Sequence, residues 1–329
     1  MQDIVPNICS GKDKISNSGK VVLYGSTGVI GKTDFASYKK NIVLVARVGA
    51  NAGQLQIGNA PCGVTDNTLV IDAKEWNYYI YYFLQHYNLN RLVFGSGQPL
   101  ITGGMLKKIK VGHGNKVERI KITRLLCLLD KRIATQNKII EDLKKLKSAI
   151  SERLFKSVKG SIVLLSDICD IVKGKQINGE NLSERGRYYV MNGGTEPSGY
   201  YDDYNVEANT ISISEGGNSC GYVQFNTFPF WSGGHCYSIQ NVTGNVDNLY
   251  LYHYLKSNED NIMKLRIGSG LPNIQKKDLA MFKIIVPTLE QQMTISTFLS
   301  SIERKAQIEA DILIAMQSEK QHLLRQMFI

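Results

Sequence analysis

The sequence lacks the residue patterns that mark zinc sites, redox centres, metalloproteases and membrane spans. Its six cysteines lie far apart and no two form a Cys-x-x-Cys pair, so neither a zinc site nor a redox motif is indicated. There is no His-Glu-x-x-His motif and no apolar run of about 18 residues. No basic segment followed by an apolar one opens the chain, so no secretory signal is predicted. These absences predict a cytoplasmic protein with no metal site and no catalytic residues.

A phosphate-binding loop is also absent, although half of its motif is present. The motif requires Gly-x-x-x-x-Gly-Lys-Ser/Thr, and residues 31–33 supply Gly-Lys-Thr. The first glycine would have to stand at Ser26, whereas the nearest glycine is Gly25. Tight turns that need a positive φ angle explain these glycines better, so no bound nucleotide is expected.

Basic residues are in excess over acidic ones. With 39 Lys and Arg against 29 Asp and Glu, the net charge is +10 and the pI is about 9.1. This balance is compatible with nucleic acid as a partner, because a phosphate backbone attracts a basic surface. It is equally compatible with an ordinary basic protein, so charge alone leaves both interpretations open.

The chain contains an internal duplication. The segment 95–101, Gly-Ser-Gly-Gln-Pro-Leu-Ile, returns at 268–274 as Gly-Ser-Gly-Leu-Pro-Asn-Ile, a spacing of 173 residues. At the same spacing, residues 118–155 align with residues 291–328 without a gap. Upstream the spacing is 168, and near the start it is 163. Such a drift is expected when loops gain residues, so the sequence predicts two halves with one shared frame.

The first part of each half contains short strand-like runs separated by turn residues. Residues 42–46 (Ile-Val-Leu-Val-Ala) and 210–214 (Thr-Ile-Ser-Ile-Ser) are equivalent runs of this kind. The aromatic stretches 76–84 and 249–255 are predicted to be short packing helices, and base stacking is the rarer explanation for them. Each half therefore begins with a predicted mixed, mostly β globule.

The second part of each half is predicted to be one long helix. Residues 116–156 and 289–329 contain no proline or glycine, and apolar residues recur at a spacing of three to four. About 40 residues form a rod of about 60 Å, and each rod must bury one apolar seam. An antiparallel coiled-coil-like pair is therefore expected. Its predicted packing residues are Leu125, Leu129, Leu143, Phe298, Ile302 and Met316.

The two predicted helices differ in charge. Residues 112–159 contain 13 Lys and Arg against 5 Asp and Glu, whereas residues 287–329 contain 4 against 5. The basic helix could face DNA phosphates between two half-sites. A solvated face and a contact with an acidic protein are the alternatives.

Four elements of the sequence together resemble a known family. They are Tyr-Gly-Ser-Thr-Gly-Val-Ile-Gly at 24–31, Gly-Ser-Gly-x-Pro at 95–99, Leu-Pro-Asn-Ile at 271–274, and Val-Pro-Thr-Leu-Glu-Gln-Gln at 286–292. Their combination closely resembles the target-recognition domains of specificity subunits from type I restriction–modification systems. The resemblance covers essentially the whole chain.

The repeat and the resemblance divide the chain into four segments. The first target-recognition domain is predicted at 1–111, the first spacer helix at 112–158, the second domain at 159–286 and the second spacer helix at 287–329. The predicted fold class is α+β, with two duplicated mixed, mostly β domains separated by the two long helices.

The resemblance also implies a function and a set of partners. Each domain would read one half of an interrupted, asymmetric target in double-stranded DNA through the major groove, and the helices would set the spacer length. Two modification subunits would methylate one adenine in each half-site at N6 with S-adenosylmethionine. Two motor-nuclease subunits that use ATP and Mg could join them. This chain would hold no cofactor and no active site, in keeping with its lack of the Pro-Pro dipeptide that such methyltransferases need.

The chain departs from the family at its start. Family members commonly carry extra residues before the first recognition domain, whereas Asp3-Ile4 already lies inside it. The counterpart Asp167-Ile168 is preceded by residues 159–165, Lys-Gly-Ser-Ile-Val-Leu-Leu. The first domain is therefore expected to lack one strand or to borrow it.

Base reading requires exposed polar side chains, with charges for phosphates and amide or guanidinium groups for base edges. Such side chains could also merely cap turns. Arg47 and Glu215 are equivalent, so the halves are expected to present opposite charges there, one to a guanine and the other to a cytosine amine. The candidates in the first half are Lys12, Lys14, Lys20, Ser26, Thr27, Arg47, Asn51 and Gln98. Those in the second are Lys173, Lys175, Asn192, Thr195, Glu196, Asn218, Ser219 and Asn273.

Three other functions are compatible with the sequence. The chain could be the recognition subunit of another methyltransferase system, a coiled-coil protein scaffold, or an independent enzyme. DNA affinity that weakens steeply with salt would separate a DNA reader from a scaffold. Activity of the purified chain alone would support an independent enzyme.

Overall fold

The computed structural model describes residues 1–95, 98–268, 270 and 272–328. It divides into two compact units, of which unit 1 is Met1–Lys138 with Ala310–Ile329 and unit 2 is Ile139–Glu309. Parts of the repeated segments 95–99 and 268–272 lie outside the described residues, namely Ser96, Gly97, Ser269 and Leu271.

Unit 1 contains two sheets. Its strands are β1 (Ile8–Ser10), β2 (Val21–Gly25), β3 (Gly28–Thr33), β4 (Ile42–Ala46), β5 (Leu55–Gly58), β6 (Cys62–Val64) and β7 (Thr68–Ile71). One sheet is antiparallel in the order β1-β7-β4-β5, and the other has the order β3-β2-β6 with β2 parallel to β6. All residues of β4 are apolar and buried, because both faces of this central strand are covered.

Aromatic residues of a short helix fill the core of unit 1. The helices are α1 (Asn77–Tyr87), α2 (Gly103–Lys108) and the first part of α3 (Lys116–Ser157). Tyr79 and Phe83 of α1 are buried, and the ring of Phe328 lies 5.2 Å from that of Tyr79. The prediction that stretch 76–84 packs as a helix is confirmed.

Unit 2 repeats this arrangement and adds a strand pair. Its strands are β8 (Ser161–Leu164), β9 (Asp170–Lys173), β10 (Tyr188–Met191), β11 (Tyr200–Tyr201), β12 (Thr210–Ser214), β13 (Val223–Asn226), β14 (Trp231–Ser232), β15 (Cys236–Gln240) and β16 (Lys283–Val286). Its helices include α4 (Leu165–Ile168), α5 (Asn248–Ser257), α6 (Glu259–Met263), α7 (Lys276–Ala280) and the first part of α8 (Leu289–Met327).

The two units share sheet order and register. The sheet β9-β15-β12-β13 repeats β1-β7-β4-β5, and β11-β10-β14 repeats β3-β2-β6. Ile8 pairs with Ile71 in unit 1, and Ile171 pairs with Ile239 in unit 2. These pairs stand at the spacings of 163 and 168 that the sequence predicts. The duplication and the α+β class are therefore confirmed.

The strand pair β8 and β16 distinguishes the units. In unit 2, these strands are antiparallel, and the N–H of Leu165 donates to the carbonyl of Phe282 at 2.9 Å. In unit 1, the amino group of Met1 donates to the carbonyl of Ile109 in the same way. Residues 110–113 are thus the counterparts of β16, but no described residue pairs with them as a strand. Unit 1 has no counterpart of β8 in the described part of the chain.

The long helices pair antiparallel within each unit. In unit 1, Lys320 forms an ion pair with Asp130 at 2.6 Å, and Ile122 lies with Met327 around one cavity. In unit 2, Lys147 pairs with Glu303, while residues 154–158 lie against residues 288–295. Residues early in α3 thus contact residues late in α8, as expected for antiparallel helices.

The structure corrects two of the predicted packing residues. Leu125 is 44% exposed and Phe298 is 47% exposed. The buried positions are their neighbours Leu126 and Leu299, both 0% exposed and themselves repeat equivalents. Because both members of each adjacent pair are apolar, the sequence pattern does not distinguish which of the two is buried in the seam. The remaining predicted packing residues, Leu129, Leu143, Ile302 and Met316, are half-buried.

Other sequence predictions concern boundaries and membranes. The helices begin and end at Lys116–Ser157 and Leu289–Met327, and the compact units divide both of them. The domain boundaries at 111, 158 and 286 remain predictions. No helix formed by the described residues combines the length and apolarity that crossing a membrane requires.

Candidate nucleic-acid interface

Two loops of unit 1 are joined by backbone hydrogen bonds. The hairpin loop, residues 47–54, connects β4 to β5, and the proline loop, residues 98–101, follows the segment 95–97. The N–H of Gly49 donates to the carbonyl of Pro99 at 2.9 Å, and the N–H of Ile101 donates to that of Arg47 at 2.9 Å. Gly49 has a φ of +79°, a conformation that favours glycine. The candidates Arg47, Asn51 and Gln98 lie on these joined loops.

Unit 2 repeats this arrangement bond for bond. The N–H of Gly217 donates to the carbonyl of Pro272 at 2.9 Å, and the N–H of Ile274 donates to that of Glu215 at 2.8 Å. Gly217 has a φ of +76°. The equivalent hairpin loop is 215–222 and the equivalent proline loop is 272–274. They hold the candidates Asn218, Ser219 and Asn273.

A third segment adjoins the hairpin loop in each unit. In unit 1, the N–H of Gly11 donates to the carbonyl of Thr68 at 3.0 Å, next to a bond from Arg47 to Asn67. In unit 2, Gly174 donates to Cys236 at 2.9 Å, next to a bond from Glu215 to His235. Lys12 and Lys175, which follow these glycines, and Lys173 therefore join the same cluster of loops.

Other candidates lie on other segments. Asn192 is tied to the unit 2 loops, because its Oδ1 accepts from the N–H of His235 at 3.2 Å. Thr195 and Glu196 follow in an exposed loop after β10. In unit 1, Ser26 and Thr27 form the turn between β2 and β3. Lys14 and Lys20 lie in the exposed segment before β2.

Glu215 does not present a negative charge to solvent. It is 8% exposed, and its Oε1 accepts from the ammonium of Lys173 at 2.6 Å and from the hydroxyl of Tyr237 at 3.1 Å. The expectation that Arg47 and Glu215 present opposite charges is therefore wrong. Burial, together with the nearby Glu215 carboxylate, raises the pKa of Tyr237, so its hydroxyl remains a donor at neutral pH.

Sequence reasoning missed the role of Tyr237 and the burial of Glu215. Lys173 and Tyr237 are partners in the β9–β15 ladder, and this pairing brings the lysine to the carboxylate. The repeat spacing could have indicated the cluster, because Ser10, Arg47 and Leu69 are the unit 1 equivalents of Lys173, Glu215 and Tyr237. Among described residues, no group of three or more His, Cys, Asp or Glu is placed to hold a metal ion.

The chain matches a family model twice. The model for the type I restriction modification DNA specificity domain matches residues 7–145 and again residues 160–317. A candidate type I specificity subunit of Mycoplasma genitalium is 24% identical over 296 residues, which cover 83% of this chain and 77% of that protein.

Solved structures share the fold. The crystal structure of a type I restriction–modification S subunit from M. genitalium matches with a TM-score of 0.75 at 20% identity, covering 98% of this chain and 93% of that one. A structure from work on complex assembly and conformational transition of the type I system has a TM-score of 0.57 at 14% identity, covering 98% and 95%.

Proposed function

Because the chain belongs to the family of type I restriction modification DNA specificity domains, we propose that it reads a bipartite, asymmetric DNA target. Its role in the type I system is sequence recognition rather than catalysis. In the proposed arrangement, each unit reads one half-site through the major groove. The long helices then determine how many unread base pairs separate the half-sites.

The duplicated loop cluster carries this proposal. The same backbone bonds recur in both units, while the side chains on them differ, as at Asn51 and Ser219 or at Leu100 and Asn273. A shared frame with different polar groups suits two half-sites of different sequence, because base edges are distinguished by their donor and acceptor patterns. The proposed contacts comprise the sixteen Lys, Arg, Ser, Thr, Asn, Gln and Glu candidates given above.

We further propose that two modification subunits bind the chain, one on each unit. Ile120 and Leu125 of α3 are exposed apolar residues of unit 1, and their repeat equivalents Met293 and Phe298 of α8 are exposed in unit 2. In unit 2 these residues line an open groove with Leu289. Exposed apolar patches mark interaction sites, and two equivalent patches suit two copies of one partner.

The remaining chemistry belongs to the proposed partners. The modification subunits would transfer a methyl group from S-adenosylmethionine to N6 of one adenine in each half-site. Two restriction subunits that use ATP and Mg are the further proposed partners. Since the proposed target is chromosomal DNA, the proposed location is the cytoplasm.

Mapping methylation across a genome tests the proposed recognition. The chain and its modification subunit are co-expressed in a host free of N6-methyladenine, with the modification subunit alone as control. We expect methylation at an interrupted, asymmetric motif only when this chain is present. A stable complex with an active modification subunit that adds no methylation would refute the proposal and favour a scaffold.

The proposed stoichiometry has its own test. Ile120→Asp and Met293→Asp are each expected to reduce the complex from two modification subunits to one, as measured by native mass spectrometry. The double variant should bind neither. Ala134→Asp, an exposed α3 position outside these patches, is the matched control. Retention of two subunits by the double variant would move the partner surface elsewhere.

A further inference from the structure

A buried carboxylate holds an exposed lysine at the edge of the unit 2 loop cluster. The side chain of Lys173 is 54% exposed, whereas that of Glu215 is 10% exposed, and their ammonium and Oε1 lie 2.6 Å apart. Tyr237 donates to the same oxygen. The other oxygen, Oε2, is buried without a hydrogen-bond partner among the described residues. A buried carboxylate is costly, so a site that retains one calls for an explanation.

The equivalent positions of unit 1 contain none of these three groups. Ser10 stands in place of Lys173, Arg47 in place of Glu215, and Leu69 in place of Tyr237. Arg47 is half-buried and has no carboxylate partner among the described ion pairs. Each unit thus carries one cation at this point, from the hairpin loop in unit 1 and from the neighbouring strand in unit 2.

We propose that Glu215 is a positioning residue that fixes the Lys173 ammonium against a DNA phosphate. The inference rests on the proposed reading of DNA by both units. A lysine on an exposed strand end samples many rotamers, so fixing it in one place costs side-chain entropy. The ion pair with a buried, immobile carboxylate meets that cost before DNA arrives, and half of the side chain stays accessible to a phosphate.

Glu215→Gln separates positioning from simple electrostatics. The substitution keeps the shape of the side chain and an acceptor for Tyr237, but it removes a negative charge from a DNA-binding surface. Simple electrostatics predicts tighter binding. Positioning predicts the opposite, weaker binding of specific and random-sequence duplexes alike, because Lys173 is no longer held against a phosphate and every duplex presents that contact.

The experiment measures binding of duplexes carrying the mapped motif and of random-sequence duplexes across a range of salt concentrations. The protein is the full chain in complex with its modification subunit. Each phosphate contact contributes about 0.9 to the slope of log affinity against log salt, so Lys173→Met should lower the slope by about that amount. If the variant and the unmodified chain bind equally at 1 M salt, this difference in slope makes the variant about eightfold weaker at 0.1 M salt. Lys173→Arg should restore most of it.

A double-variant cycle completes the test. In a Lys173→Met background, Glu215→Gln should have no further effect, since the glutamate is proposed to act through the lysine. An unchanged slope in Lys173→Met, or tighter specific binding by Glu215→Gln, would overturn the inference while leaving the proposed function intact. Salt-independent DNA binding by the unmodified chain would overturn both.

Discussion

The hairpin loops of the two units have the same backbone and different side chains. Gly49 and Gly217 make the same hydrogen bond with nearly the same φ angle, and the carbonyls of Arg47 and Glu215 accept equivalent backbone bonds. The side chain of Glu215 pairs with Lys173, whereas Arg47 forms none of the described ion pairs, so in unit 2 a lysine from another strand supplies the cation. A one-to-one comparison of aligned side chains therefore misjudges the surface charge of a duplicated protein, whereas comparison of the spatial cluster does not.

Core positions behave differently from the loop positions. Leu126 and Leu299 are identical and fully buried, and each belongs to the main core of its unit. The duplication has thus kept the packing that holds the helices to the sheets while the polar rim has diverged. Apolar packing at such positions alongside a variable polar rim suits the proposed reading of two different half-sites.

The largest expected effect breaks this shared core. Leu126→Ala and Leu299→Ala should each destabilise their own unit by about 2–5 kcal/mol, because the lost side chain leaves a cavity in a packed core. Hydrogen exchange resolved by residue measures each unit separately. The neighbouring variants Leu125→Ala and Phe298→Ala are the controls and should cost under about 1 kcal/mol. Equal losses of stability for Leu126→Ala and Leu125→Ala, or for Leu299→Ala and Phe298→Ala, would contradict this assignment of the buried positions.

A second difference between the units concerns titration. His253 of α5 is 2% exposed and its Nε2 lies 2.9 Å from the hydroxyl of Ser300. When the first residues of the two helices, Asn77 and Asn248, are aligned, Tyr82 occupies the equivalent position on α1. Burial lowers the pKa of His253 to about 4; the nearby Glu303 carboxylate raises this pKa, and the Lys147 ammonium lowers it further. Its unfolded value is about 6.5. The unfolded chain thus binds a proton first, and stability is lost as the pH falls from about 6.5 towards 4.

The expected contribution of His253 to this loss is about 3 kcal/mol in unit 2. His253→Gln keeps an amide that can bond to Ser300 but does not titrate. Hydrogen exchange of the α5 amides between pH 7 and 4.5 should therefore show a flatter decline in the variant. Parallel declines in variant and unmodified chain would assign the acid sensitivity of unit 2 to other groups.

Much of this fold could be predicted from the sequence, because a duplication repeats each pattern and long helices carry many periodic residues. The seam was misassigned at Leu125 because Leu126 beside it is equally apolar, and only packing distinguishes them. The ion pair of Lys173 and Glu215 joins residues 42 positions apart. It depends on the register of β9 against β15, which the hydropathy pattern of short strands does not determine.

A smaller effect concerns specificity at one half-site. Arg47→Ala should relax recognition of a single position in one half of the target by about 1–3 kcal/mol, because its guanidinium is proposed to read a base edge. Methylome mapping should then reveal a degenerate base in one half-site and an unchanged second half. Gln54→Ala, at an exposed position of the same loop outside the proposed contacts, is the matched control for loop disturbance. Unchanged motifs in both halves would remove Arg47 from the reading residues.

The smallest expected effect comes from giving unit 1 a counterpart of strand β8. Residues 110–113 correspond to β16 but have no strand partner among the described residues, and an unpaired edge leaves its N–H and C=O groups to solvent. Adding Gly-Ser-Ile-Val-Leu, the sequence of residues 160–164, directly before Met1 would place a copy of β8 beside this edge. Since Met1 already makes the bond that Leu165 makes in unit 2, the added strand would begin in register.

We expect the added strand to stabilise unit 1 by about 1 kcal/mol, because a few solvent-exposed hydrogen bonds and one inward valine are gained. Hydrogen exchange at residues 110–113 should slow, while unit 2 is unaffected. The same extension with proline in place of the valine cannot complete the ladder and serves as the control. Equal protection by both extensions would mean that the edge is not a strand acceptor, and that the two units differ here in conformation and not only in occupancy.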